Sequence, residues 1–147
     1  MFLMISQLLA NPILGLSWIF GLILAITIHE FAHAFMADRL GDPTPRLQGR
    51  LTLNPLAHLD PIGTLMLLLT RFGWGKPVQF DPFNLQNPRR DAAIISLAGP
   101  VSNLATATLA AGIIRLAPVF SLLLLPLIVL SVSLALFNLI PIHPLDG

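Results

Sequence analysis

The chain has 147 residues, 55% of them hydrophobic and only 10% charged, with a mean hydropathy of +0.82. A soluble domain carries about a quarter charged residues, so there is too little polar side chain here to cover a water-exposed globule, and lipid is the expected solvent. A net charge of +1 with no basic aromatic cluster argues against a nucleic-acid partner, and a chain without cysteine has no disulfides, thiolate nucleophiles or Cys-based metal sites. Any metal must be held by His, Asp or Glu.

The first 28 residues contain no Lys, Arg, Asp, Glu or His. The basic region of a cleavable signal is missing, so this end reads as a signal anchor, the first span itself. "FLMISQLLA" is expected to form a short interfacial or re-entrant helix ended by Asn11-Pro12. The first span runs over about 13–37, interrupted only by His29, Glu30 and His33. Pro and Gly then punctuate "DRLGDPTPRLQGRLTLNPLAHLDPIG", in which "RLQGRLTLN" alternates as a short strand does. The run 62–72 is apolar but short for a bilayer crossing, and "GKPVQFDPF" reads as a second strand. Two further spans follow at about 92–114 and 116–142, with Pro118 and Pro126 starting or kinking the last. The expected fold is an α-helical multi-pass membrane protein, one domain over 1–147, with a three-span core and a short strand or re-entrant region between the first two spans.

Charge sets the expected topology. If 62–72 does not cross, loops 38–50 and 71–91 share one side and hold seven of the eight basic residues, with Arg115 opposite. If it crosses, the split is four against four. The positive-inside rule favours the first arrangement, with both loops cytoplasmic. The C-terminal ends of the first and last spans then meet at the same face.

His29-Glu30-Phe31-Ala32-His33 is an HExxH sequence. On a helix, residues i and i+4 share a face, so both imidazoles can bind one ion. Glu30, the only glutamate, flanks the pair, where its carboxylate can take a proton from metal-activated water. A carboxylate at a helix centre costs roughly 2.5–3.5 kcal/mol on insertion scales, which marks such residues as functional candidates. The alternative is a structural histidine pair satisfied by neighbouring carbonyls. A catalytic zinc takes three protein ligands. The candidate carboxylates are Asp38, Asp42, Asp60, Asp81, Asp91 and Asp146. Asp38 is badly phased for the same helix face, whereas Asp146 follows the last span at the face the topology shares with the histidines.

Together "HEFAH", "GRLTLNPLAHLDPIG", "LAGPVSN" and "FNLIPIHPLDG", in that order, resemble the site-2 protease family of intramembrane zinc metalloproteases, in its small form without a PDZ domain. The resemblance implies that His29, His33 and Asp146 hold Zn2+ and that Glu30 is the general base. It also implies that Asn138 helps to hold substrate or the oxyanion, and that Asn54 and His58 lie in a loop approaching the site. His58 is then either a partner to the site or a loop histidine fixing a turn; Asp60 reads as a turn residue, and His143 is not expected to be a ligand. Ala98-Gly99-Pro100 and Ser102-Asn103 allow close helix packing, with Asn103 able to bond across helices. Family members continue beyond the LDG motif, so a chain ending at Gly147 is expected to be C-terminally incomplete.

The expected activity is zinc-dependent hydrolysis of peptide bonds in or near transmembrane segments of membrane proteins, in a bacterial or archaeal cell membrane. "RLQGRLTLN" would pair with the unwound substrate by β-augmentation. The alternative is a non-proteolytic membrane metal-binding or scaffold protein. Oligomeric state is not legible, and a transporter lacks its expected internal repeat.

Overall fold

The computed structural model describes residues 9–70 and 74–140, and its secondary structure is almost entirely helical. Three long helices dominate: α1 (Pro12–Arg39), α4 (Pro88–Leu116) and α5 (Ser121–Leu139). Between the first two lie a single-turn helix, α2 (Thr44–Leu47), and a ten-residue helix, α3 (Pro61–Thr70). Three helical stretches, Pro12–Arg39, Pro88–Leu116 and Pro118–Leu139, are long and apolar enough to cross a membrane. Only 22–33% of the most apolar part of each is buried within the protein. The rest presents hydrocarbon outward, as a lipid-facing surface does.

Local sequence explains where these helices begin. Asn11 caps α1, its side chain accepting from the Leu14 N–H at 3.2 Å, and Pro12 supplies a first-turn residue whose missing N–H costs nothing. At α4 Asn87 and Pro88 take the same positions, but Asn87 makes no side-chain cap bond; Asp91 Oδ2 instead accepts from the Asn87 N–H at 2.9 Å. α1 stops at Leu40, and Gly41 follows at φ +105°, open to glycine at little cost. Ala117-Pro118 ends α4, and a short 3₁₀ turn, Pro118–Phe120, reverses the chain into α5.

The helices pack through small residues. Ala25 of α1, Ala110 of α4 and Leu127 of α5 form one buried cluster. A Cβ on Gly21 would stand 2.9 Å from the Leu127 backbone nitrogen, so α1 and α5 cross with backbone close to backbone. His33 meets Ile95 and His29 meets Asn103, so α1 and α4 run antiparallel. α5 turns back from α4 and therefore runs parallel to α1. His33 lies 12 residues beyond Gly21 and Leu139 lies 12 beyond Leu127. At equal rise per residue the end of α5 comes level with the histidine pair.

The two expected strands do not form. Over 46–54, Pro43 and Pro45 start α2, Gly49 turns the chain at φ +70°, and Asn54 caps a 3₁₀ turn at Pro55–Ala57. The Arg50 side chain folds inward, 7% exposed, donating to the carbonyls of Ala57 and Lys76. From Gly75 to Asp81 the chain has no regular secondary structure, and its contribution to pairing is one isolated bridge between Gly75 and Leu59.

Candidate metal centre

His29 and His33 lie one turn apart on α1, at 2% and 5% exposure, facing α4. Their rings meet edge to face, with Nε2 atoms 3.1 Å apart. Two zinc–nitrogen bonds of about 2.0–2.1 Å at a tetrahedral angle hold their nitrogens about 3.3 Å apart, so the separation suits joint ligation. The other ring nitrogens point at α4. His33 Nδ1 is 2.7 Å from the Ile95 carbonyl oxygen, and His29 Nδ1 is 3.1 Å from the Asn103 amide. A carbonyl only accepts, so in the neutral ring His33 carries its proton on Nδ1 and keeps the Nε2 lone pair toward His29.

Gly99 is the residue of α4 between these two contacts. A Cβ there would lie 2.7 Å from His29 Nε2 and closer still to His33 Nε2. The space adjoining both nitrogens exists because residue 99 has no side chain. This is the observation that fits a metal to the pair: two convergent nitrogen donors, oriented from behind, beside a space that one methyl group would fill.

Glu30 projects from the same turn and accepts from the Val78 N–H at 3.0 Å through Oε2. The segment supplying that N–H is itself anchored, since the Lys76 N–H donates to the His58 carbonyl at 2.8 Å and Arg50 donates to the Lys76 carbonyl. The loop between α1 and α4 thus reaches back to orient the carboxylate.

Among the described residues, no group of three His, Cys, Asp or Glu is placed to hold a metal. The described aspartates are engaged elsewhere. Asp38 pairs with Arg46, Asp60 accepts from the Gly63 N–H, Asp81 from the Phe83 N–H and Asp91 from the Asn87 N–H. Asp42, fully buried, accepts from Thr44 N–H (3.0 Å), Thr44 Oγ1 (2.6 Å), Asn84 Nδ2 (2.8 Å) and Asp81 N–H (2.7 Å). Burial alone would raise its carboxyl pKa, but these hydrogen bonds hold it below its ordinary value. Asp146 and His143 lie outside the described residues.

The remaining candidates separate by position. Asn103, fully buried, touches His29 directly. Asn138, in the last turn of α5, donates to the Leu134 carbonyl at 2.9 Å. Asn54 caps its own turn, accepting from the Leu56 N–H at 3.1 Å. His58, fully buried, donates through Nε2 to the Thr52 carbonyl at 2.7 Å, within the same loop. Three contributors escaped sequence reasoning as site residues: Gly99, noted only for helix packing, the Ile95 carbonyl and the Val78 N–H. Backbone groups carry no side-chain signature, although the spacing 95/99/103 repeats the four-residue step of 29/33.

No protein-family model matches the chain, and no solved structure matches it. Curated relatives do. A Bacillus subtilis protein named "Putative zinc metalloprotease YwhC" is 41% identical over 138 aligned residues, 86% of this chain and 63% of the relative. Proteins named "Putative zinc metalloprotease Rip2" from Mycolicibacterium smegmatis and Mycobacterium tuberculosis are 37% and 36% identical, over 86% of this chain and 52% of each relative. The chain therefore spans 52–63% of the length of these relatives. With this identity along most of its length and the histidine pair in place, the chain is homologous to these relatives, which are members of the site-2 protease family.

Proposed function

We propose that the chain carries the zinc-dependent catalytic core of an intramembrane endopeptidase, which hydrolyses peptide bonds in or near transmembrane segments of membrane proteins. The observation that carries this reading is the convergence of His29 Nε2 and His33 Nε2 beside Gly99, with Glu30 next to them, on a helix apolar enough to cross a bilayer. His29 and His33 would hold zinc. Asp146 would be the third ligand: the described aspartates are committed elsewhere, and the end of α5 comes level with the pair, seven residues before Asp146.

When bound, zinc supplies Lewis acidity that activates water and polarises a peptide carbonyl. Glu30 receives the proton from that water on its carboxylate and passes it to the departing amine. The Val78 N–H, bonded to Oε2, keeps the carboxylate from rotating away. Burial of both imidazoles limits bulk water at the site and strengthens each electrostatic contact there. A transmembrane substrate hides its carbonyls in helical hydrogen bonds, so it must unwind locally before attack.

The test is a purified chain in detergent with a single-span substrate, wild type beside Glu30→Gln. We expect both to bind zinc and only the wild type to cleave, with the variant at least 100-fold slower. Zinc-loaded wild type with no cleavage would instead favour a membrane metal-binding or scaffold protein, and equal cleavage by both would remove Glu30 from its role.

A further inference from the structure

We infer that Asn103 is the positioning residue of His29, fixing the tautomer in which Nε2 is available to a metal. The inference rests on the reading of His29 and His33 as metal ligands. A histidine that ligates through Nε2 carries its remaining proton on Nδ1, and an acceptor facing that proton holds the ring and raises its donor strength. For His33 the acceptor is the Ile95 carbonyl. For His29 the group at Nδ1 is the Asn103 amide, 3.1 Å away.

As placed, that amide turns Nδ2 toward Nδ1, and its Oδ1 is buried without a hydrogen-bond partner among the described residues. The two ends of an amide are almost the same size, and their assignment follows from the hydrogen bonds available. A half-turn about the last side-chain bond brings Oδ1 to Nδ1–H and gives the orphaned oxygen a donor. It also leaves Nε2 with its lone pair directed at His33 and the Gly99 space. α4 would then read both imidazoles from behind through one stripe: the Ile95 carbonyl, Gly99 as the opening, and the Asn103 amide oxygen. A fully buried asparagine needs such a reason in an apolar span, where a hydrophobic side chain of equal volume would pack without polar cost.

The alternative is that Asn103 only packs, and isosteric variants separate the two. Asn103→Asp presents an acceptor oxygen to Nδ1–H; Asn103→Leu keeps the volume and presents none. Zinc affinity is measured by chelator competition on the whole chain in detergent micelles, and helical content and thermal unfolding are followed on the same samples. We expect Asn103→Leu to bind zinc 10–100-fold more weakly than wild type and Asn103→Asp to stay within a few-fold. In ¹⁵N-histidine-labelled, zinc-loaded protein, the wild type and Asn103→Asp should both show His29 protonated on Nδ1 in slow exchange, with that protection lost in Asn103→Leu.

Leucine and aspartate variants that both match wild type would overturn the inference while leaving the metal site standing. An aspartate variant as weak as the leucine variant would overturn it too, because an acceptor would then not be what His29 needs. A wild type that binds no stoichiometric zinc would overturn the metal reading and this inference together. The wild-type nitrogen spectrum needs no variant to fold: zinc-loaded His29 without a proton on Nδ1 also overturns it.

Discussion

At Gly99 the backbone of α4 passes both imidazoles with no side chain between. Imidazoles free to swing could yield to a methyl group, but His33 is held at Nδ1 by the Ile95 carbonyl and His29 lies against Asn103. Gly99→Ala should therefore lower zinc affinity at least tenfold while leaving the helical circular dichroism intact; chelator competition would measure the first. Unchanged affinity would mean that the metal sits elsewhere. The shared face of His29 and His33 was legible because their spacing alone places them one turn apart on a helix. The role of Gly99 was not, since a small residue in a membrane helix signals close approach without saying to what. Asn54 and His58 show the converse limit. Their neighbourhood was readable as a loop, but only coordinates show that their side chains bond within it.

Helices and their connections carry a second set of consequences. The three spans were readable to within about four residues, at about 13–37, 92–114 and 116–142 against Pro12–Arg39, Pro88–Leu116 and Pro118–Leu139, with 141–142 outside the described residues. Asn-Pro pairs and long charge-free runs are strong local signals. The alternating "RLQGRLTLN" misled, because alternation competes with two prolines, a left-handed glycine and an arginine that folds inward to bond carbonyls. At the α1–α5 crossing, Gly21→Leu would force side-chain atoms into the Leu127 backbone. It should destabilise by about 1–3 kcal/mol, whereas Leu16→Ala on the exposed face should stay near neutral; thermal unfolding in micelles compares them. The loop has its own pH signature. Asp42 has a depressed folded-state pKa, so its contribution is complete above the unfolded value near 3.8 and fades as pH falls through the lower folded value. Wild type should thus lose stability below about pH 4. Asp42→Asn should be less stable at neutral pH by about 1–3 kcal/mol and converge on wild type in acid. A constant gap between the two across pH 3–7 would show that the carboxylate does not tie this loop to Asn84 and Asp81.

For the molecule in its membrane, the geometry ties chemistry to topology. α1 and α5 are parallel, so the HExxH pair and the C-terminal end of α5 come to the same depth, the arrangement that a third ligand after α5 requires. α3 decides whether it holds. Ten residues of helix rise about 15 Å, half of a hydrocarbon core of about 30 Å, so Pro61–Thr70 alone is too short to cross, and we propose that the loops on either side of it share a face. That is the arrangement that collects seven of the eight basic residues on one side. A chain without cysteine makes the test direct. Single cysteines at Leu47, Gln86 and Val119, each exposed and away from the histidines, can be labelled with a membrane-impermeant maleimide in right-side-out and inverted vesicles. Leu47→Cys and Gln86→Cys should react only from the cytoplasmic face, and Val119→Cys only from the opposite one. Reaction of Leu47→Cys and Gln86→Cys from opposite faces would require α3 to cross. That would move the end of α5 away from the histidines and leave Asp146 unable to join them.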